Sequence, residues 1–174
     1  MLEYMNNLVV LGLMSLIKKK GDYMKAGKFK IKENVKFTLK DLDGNIIEES
    51  EHCNTIVNDG LSLVRNWLAG DTVDEPVALG VGTNNTAVTN SDTSLGTEYT
   101  RASASVSKDG DYVVEYTHDF TFGSGVSETI YEAGLFDSAV ASGSTMIART
   151  TDSGKAVDST KTLTVTWTIT VSRG

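Results

Sequence analysis

The residues that could do chemistry are few and scattered. Glu132 and Asp137 are the nearest thing to a pair of carboxylates of the kind that cleaves glycosides, but nothing in the sequence fixes their separation or raises one pKa. An interchain or interstrand ion pair with Arg101 or Arg149 is the plainer reading for both. His118 falls on the apolar side of an alternating stretch, with no marked serine or cysteine nucleophile nearby. It reads as a core or interface histidine bonded to a neighbour. His52 and Cys53 are adjacent, yet a zinc site wants four ligands, or three and a water, and the chain has only two histidines and one cysteine. That count also excludes an internal disulfide, and a buried inert thiol is the expected state of Cys53. Asp41, Asp43 and Gly44 resemble the start of a calcium loop, but the glycine comes too early and the distal glutamate is out of register. Gly80 and Gly82 lack the third glycine and the following helix of a dinucleotide loop. Asn84-Asn85-Thr86 matches a glycosylation sequon, which has meaning only in a eukaryotic secretory setting. These residues predict no catalytic, cofactor or metal site.

The elements that would hold them read as sheet. The stretch Leu163-Thr164-Val165-Thr166-Trp167-Thr168-Ile169-Thr170-Val171 alternates without a break. A period of two sends one set of side chains to each face of a strand. The apolar set predicts a central core strand with Trp167 inside. Val35, Phe37 and Leu39 alternate with Lys36, Thr38 and Lys40, and residues 41–45 supply turn chemistry around Gly44. Residues 25–57 therefore form a hairpin whose first arm carries Lys25, Lys28, Lys30, Lys32, Lys36 and Lys40. A solvated edge strand, guarded by lysine, is the expected reading, with docking onto an acidic partner as the alternative.

Residues 58–70 predict the one helix. Asn58 or Asp59 would cap it and Gly70 would stop it. Leu61, Val64 and Leu68 share a face that should pack on the sheet. Residues 77–82 read as a short buried strand and 83–97 as a long polar loop, a length often functional or mobile. Residues 101–107 and 112–122 flank a tight turn at Asp109-Gly110. Residues 130–136 read as strand or turn, 145–150 as strand, and 152–159 as a loop. Short strands separated by turns predict a mainly all-β, antiparallel β-sandwich with one short α-helix. The main sheets would come from residues 77–174, in a single domain spanning 25–174.

Residues 1–24 form an N-terminal extension. The apolar run 8–17 falls well short of the roughly 20 residues that span a bilayer. It reads as a short helix or, since residues 19–24 can be encoded by a run resembling a ribosome-binding site, as sequence ahead of a native start at Met24. With 16 basic and 23 acidic residues the net charge is −7, which argues against general nucleic-acid binding. No membrane partner is expected.

The order of motifs carries a resemblance. Asn54-Thr55-Ile56-Val57-Asn58-Asp59-Gly60-Leu61 leads into the helix. Val77-Ala78-Leu79-Gly80-Val81-Gly82-Thr83 and a polar loop follow, then Leu95 to Arg101, Ile130-Tyr131-Glu132-Ala133-Gly134-Leu135-Phe136-Asp137, Met146-Ile147-Ala148-Arg149-Thr150 and the threonine-alternating strand. From residue 54 onward this resembles small structural proteins of tailed bacteriophages and related archaeal viruses: tail, tail-fibre, baseplate or head-decoration components. The resemblance implies a non-enzymatic virion part that assembles as repeated copies with itself and other virion proteins. A trimer is expected by analogy with fibres. A host surface glycan is the alternative partner. Arg101, Glu132, Gly134, Arg149 and Trp167 are the expected structural or interface residues. Gly134 would permit close backbone approach, and Arg101, Glu132 and Arg149 would form one ion-pair network.

Overall fold

The structure, a computed structural model, describes residues 29–173. The expectations for residues 1–24, and for Lys25 and Lys28, lie outside the described residues.

The described residues fold as an antiparallel β-sandwich with one short helix. Ten strands and the helix follow in the order β1 (Phe29–Asp41), β2 (Ile46–Cys53), β3 (Thr55–Ile56), α1 (Asn58–Ala69), β4 (Ala78–Gly82), β5 (Glu98–Ser103), β6 (Ser105–Asp109), β7 (Val113–Thr121), β8 (Ser127–Phe136), β9 (Met146–Asp158) and β10 (Lys161–Arg173). One sheet has the order β2-β1-β10-β7-β6 and the other β3-β9-β8-β4-β5. The predicted central strand is β10, third of five. Its apolar set points into the sandwich: Leu163, Val165 and Trp167 are fully buried. They meet Val35, Phe37 and Leu39 from β1, Tyr116 and Phe120 from β7, and Leu79, Val81, Ile130 and Leu135 from the opposite sheet. The threonines on the other side tie β10 to its neighbour. Thr164 Oγ1 donates to Asp119 at 2.5 Å and Thr168 Oγ1 to Glu115 at 3.2 Å.

Several expectations change. The basic arm β1 is not an edge, because β10 pairs along its far side and β2 is outermost. Sequence alternation shows which face a strand buries but not how many neighbours it has. Helix α1 takes no side-chain cap from Asn58 or Asp59. Its first turn is fixed by backbone bonds instead, Val57 N–H to Ile147 O at 3.1 Å and Asn58 N–H to Asn90 O at 2.8 Å. The helix meets the sheet at Gly60, where a Cβ would stand 2.1 Å from the Ile147 carbonyl oxygen. That contact turns Leu61 and Leu68 outward, 54% and 70% exposed, so the predicted packing face is the wrong one. Gly70 ends the helix in the left-handed conformation, as its position predicts. The stretch 130–136 is a full strand, β8. The loop expected at 152–159 is largely strand, the second half of β9. Cys53 is exposed rather than buried.

Among the described residues, the buried carboxylate of Glu33 has no cation beside it. Glu33 Oε2 accepts Trp167 Nε1–H at 3.0 Å and also a bond from the Asn54 amide. Burial pushes its pKa above the ordinary value, and these two hydrogen bonds only partly offset that. A raised carboxyl pKa penalises the folded state once the group ionises. Stability from this site is therefore greatest below the unfolded pKa and falls as pH rises through the folded one. Urea midpoints measured across pH should show Glu33→Gln flattening that decline and matching or exceeding the parent at neutral pH. A variant that tracks the parent's pH profile would remove Glu33 as its source.

Candidate functional site

Four of the expected site residues, Arg101, Glu132, Gly134 and Arg149, converge on the outer face of the second sheet, while Trp167 lies in the core on β10 of the first. Strand register sets Arg149, Gly134, Gly80 and Arg101 in one row across β9, β8, β4 and β5. The next row is Thr151, Glu132, Gly82 and Glu98. Two arginines thus flank a two-glycine floor, with a carboxylate beside each. The floor has to be bare. A Cβ on Gly134 would lie 2.8 Å, and one on Gly80 2.9 Å, from the Phe136 ring that rests across both. Arg101 roofs that ring, its guanidinium carbon 3.4 Å from the centroid.

The two ion pairs are separate. Arg149 Nε donates to Glu132 Oε2 at 2.8 Å, and both side chains are buried. Arg101 turns to Glu98 instead, 2.6 Å away in its own strand, and to Ser138 and Ser144. The single network of Arg101, Glu132 and Arg149 is replaced by two pairs that bridge the two rows at opposite ends, because the glycine floor and Phe136 lie between the arginines.

Glu132 is saturated. Oε1 accepts Thr97 N–H at 2.9 Å and Asn84 N–H at 3.3 Å, while Oε2 accepts Gly96 N–H at 3.0 Å besides Arg149. Arg149 reaches Asp92 at 2.7 Å and the Thr86 carbonyl at 3.2 Å. The 83–97 loop is therefore hung from both ends and its middle on one buried pair. Burial alone would raise the Asp92 carboxyl; bonds from Thr89, then Arg149, outweigh it and hold the group below its ordinary value. Asp137, the other candidate carboxylate, accepts Thr145 N–H at 2.7 Å and closes a turn. The loop leaves a shallow depression of about 430 Å³, lined by Asn84, Thr86, Thr89, Asp92, Ser94 and their neighbours.

A second polar cluster joins the two sheets. β2 turns Glu48, Ser50 and His52 inward, opposite Leu39, Phe37 and Val35 of β1. They meet Asp152 and Lys155 of β9. Lys155 is fully buried, with Nζ 2.8 Å from Asp152 Oδ1 and 3.0 Å from Glu48 Oε1. His52 Nε2 lies 2.7 Å from Asp152 Oδ2, which Ser50 also reaches. In a regular strand, residues three apart face opposite sides. Here the β8–β9 register shifts between Ile130 and Glu132, which oppose Lys155 and Thr151, and this irregularity puts Asp152 and Lys155 on the same side. Burial would raise the Asp152 carboxyl, but Lys155, Ser50, Gly154 N–H and His52 together lower it. Reading 152–159 as a loop concealed these residues. The signal was the spacing of Lys155 from Val157, which places both on the buried side.

His118 sits in register with Val165 on the inner face, bonded to the Ser103 carbonyl at 2.9 Å and edge-on to Phe120. Among the described residues no group of three or more His, Cys, Asp or Glu is placed to hold a metal, and no helix is long and apolar enough to cross a membrane. No family model matches the chain, nor does any curated relative or solved structure.

Removing one member of a buried pair strands the other. Arg149→Met and Glu132→Leu should each cost roughly 3–5 kcal/mol in urea unfolding, and the double variant clearly less than their sum. Strict additivity would mean the two are not coupled. For the inter-sheet cluster, Asp152→Asn should remove part of the acid-side loss of stability. A depressed carboxyl pKa contributes stability above the unfolded value that is lost as pH falls through the folded one. An unchanged acid limb would overturn that assignment.

Proposed function

We propose that this chain is a non-enzymatic structural component of a tailed-virus particle, working in the tail, fibre or baseplate as repeated copies. The observation that carries this reading is the resemblance of the motif order from residue 54 onward, taken with where those motifs lie. The motifs at 77–83, 130–137 and 146–150 occupy neighbouring strands of one sheet, and their polar residues are spent on holding a loop and a ring in place. Among the described residues every buried side-chain nitrogen and oxygen has a partner. A scaffold whose buried polar groups are all bonded suits assembly, where a fixed shape is the product.

Two other readings stay attached to it. Head decoration draws on the same resemblance. Host-glycan recognition is favoured by the depression formed by the 83–97 loop, whose lining includes hydroxyls, the Asn84 amide, the Asp92 carboxylate and the Arg149 guanidinium. Tagged protein incubated with particles of the source virus should bind saturably, and particle mass spectrometry should find this chain in repeated stoichiometry. Immunogold labelling then separates tail from head. Absence of the chain from purified particles would sink the virion reading, and a glycan array without signal would remove the receptor alternative.

A further inference from the structure

The sandwich protects its edges unequally. β2 is guarded by charge: Glu48, Ser50 and His52 point inward to the buried cluster, while Glu49 and Glu51 are exposed outside. Inward-pointing charge and like-charged outer residues both discourage a second strand from adding there. β3 is two residues long, and β5 is half-buried along most of its length. β6 is guarded less: its charges are one lysine and one aspartate of opposite sign, Lys108 and Asp109. All five of its residues are exposed, among the described residues its one bonded neighbour is β7, and its sequence Ser105-Val106-Ser107-Lys108-Asp109 contains no proline.

The apolar surface beside this edge is unfinished. Val106, Tyr116 and Trp167 form one cross-strand row on the inner face. Trp167 is fully buried, Tyr116 nearly so, and Val106 is 51% exposed. Tyr112 and Val171, whose N–H bonds the Tyr112 carbonyl at 2.9 Å, extend the same exposed margin.

We propose that β6 is a self-association edge, where a second copy of this chain adds its own β6 antiparallel about a twofold axis through Ser107. This rests on the reading that the chain works as repeated copies. The register selects itself. With the axis through Ser107, that residue faces its own mate, Ser105 faces Asp109, and Val106 faces Lys108. A serine hydroxyl then meets a carboxylate, and the lysine stem lies across the valine. No like charges are opposed. An axis through Lys108 would set two ammonium groups against each other, and one through Val106 would pair three residues of β6 instead of five. The pairing carries the Trp167–Tyr116–Val106 row on into the partner and makes one ten-stranded sheet. Such a contact is isologous and closes as a dimer; a threefold assembly would need another surface.

Directly opposed residues of an antiparallel pair have Cα atoms about 4.5–5.5 Å apart, which a disulfide can span. Cys53 is exposed and must first be removed. In the Cys53→Ser background, Ser107→Cys should form a covalent dimer on mild oxidation, while Ser159→Cys, on an exposed turn, should not. Ser107→Glu opposes two carboxylates and should weaken the dimer at least about tenfold by light scattering, roughly 1.4 kcal/mol, while the thermal midpoint of the dilute monomer stays unchanged. A monomeric parent at its highest soluble concentration, a trimer whose Ser107→Cys variant fails to cross-link, or a dimer that survives Ser107→Glu would overturn the proposal. Binding of tagged protein to particles is read independently, so loss of the β6 contact alone leaves the virion reading standing.

Discussion

The carboxylate of Glu132 is the constraint around which one side of this molecule is built. A charge taken fully out of water is tolerable only when its lone pairs are filled and a counter-charge is close. Glu132 meets both conditions by recruiting three backbone N–H groups and the Arg149 guanidinium. Two of those donors, Gly96 and Thr97, lie at the far end of the 83–97 loop, and Asn84 lies at its near end. The same carboxylate therefore solves its own desolvation and closes the loop. Gly82 leaves the space it needs, since a Cβ there would stand 2.4 Å from Oε1.

The second polar cluster works on a different problem. A sandwich made from two five-stranded sheets has four edges, and each can recruit a stray strand. β2 closes one by facing its polar residues into the sandwich, where Asp152 and Lys155 receive them. The irregularity in β9 makes this possible, because a regular strand could not present both residues to the same side. Glu33 is the exception to the general pairing of buried charge. Among the described residues it has hydrogen bonds but no cation, and burial shifts its pKa upward despite those bonds.

Much of the architecture was legible in residue alternation. β10 announces its buried face at every second residue, and β1 and β7 do so nearly as well. Trp167 follows directly from that pattern. What alternation cannot carry is neighbourhood. Nothing in the lysines of β1 tells that β10 covers its other side. The packing face of α1 departs from its stripe for a related reason: Leu61, Val64 and Leu68 are a good amphipathic stripe, but Gly60 sets the close approach, and it contributes no hydrophobicity to a pattern. For the outer-face site, residue types pointed to Arg101, Glu132, Gly134 and Arg149. Their division into two pairs depends on the cross-strand row through Gly80, which only register supplies. Lys155 and Asp152 stayed hidden because an Asp-Ser-Gly sequence reads as a turn whether the chain turns there or merely bulges.

The manner in which the 83–97 loop is suspended has a consequence for how this chain can change over generations. Glu132 grips it through main-chain N–H groups and Arg149 through the Thr86 carbonyl, while Leu95 and Asp92 are the side chains that anchor it. Asn85, Ala87, Thr93 and Ser94 are exposed and have no part in that suspension. The frame beneath is thus indifferent to what those positions display, and diversification there can proceed while the fold stays still.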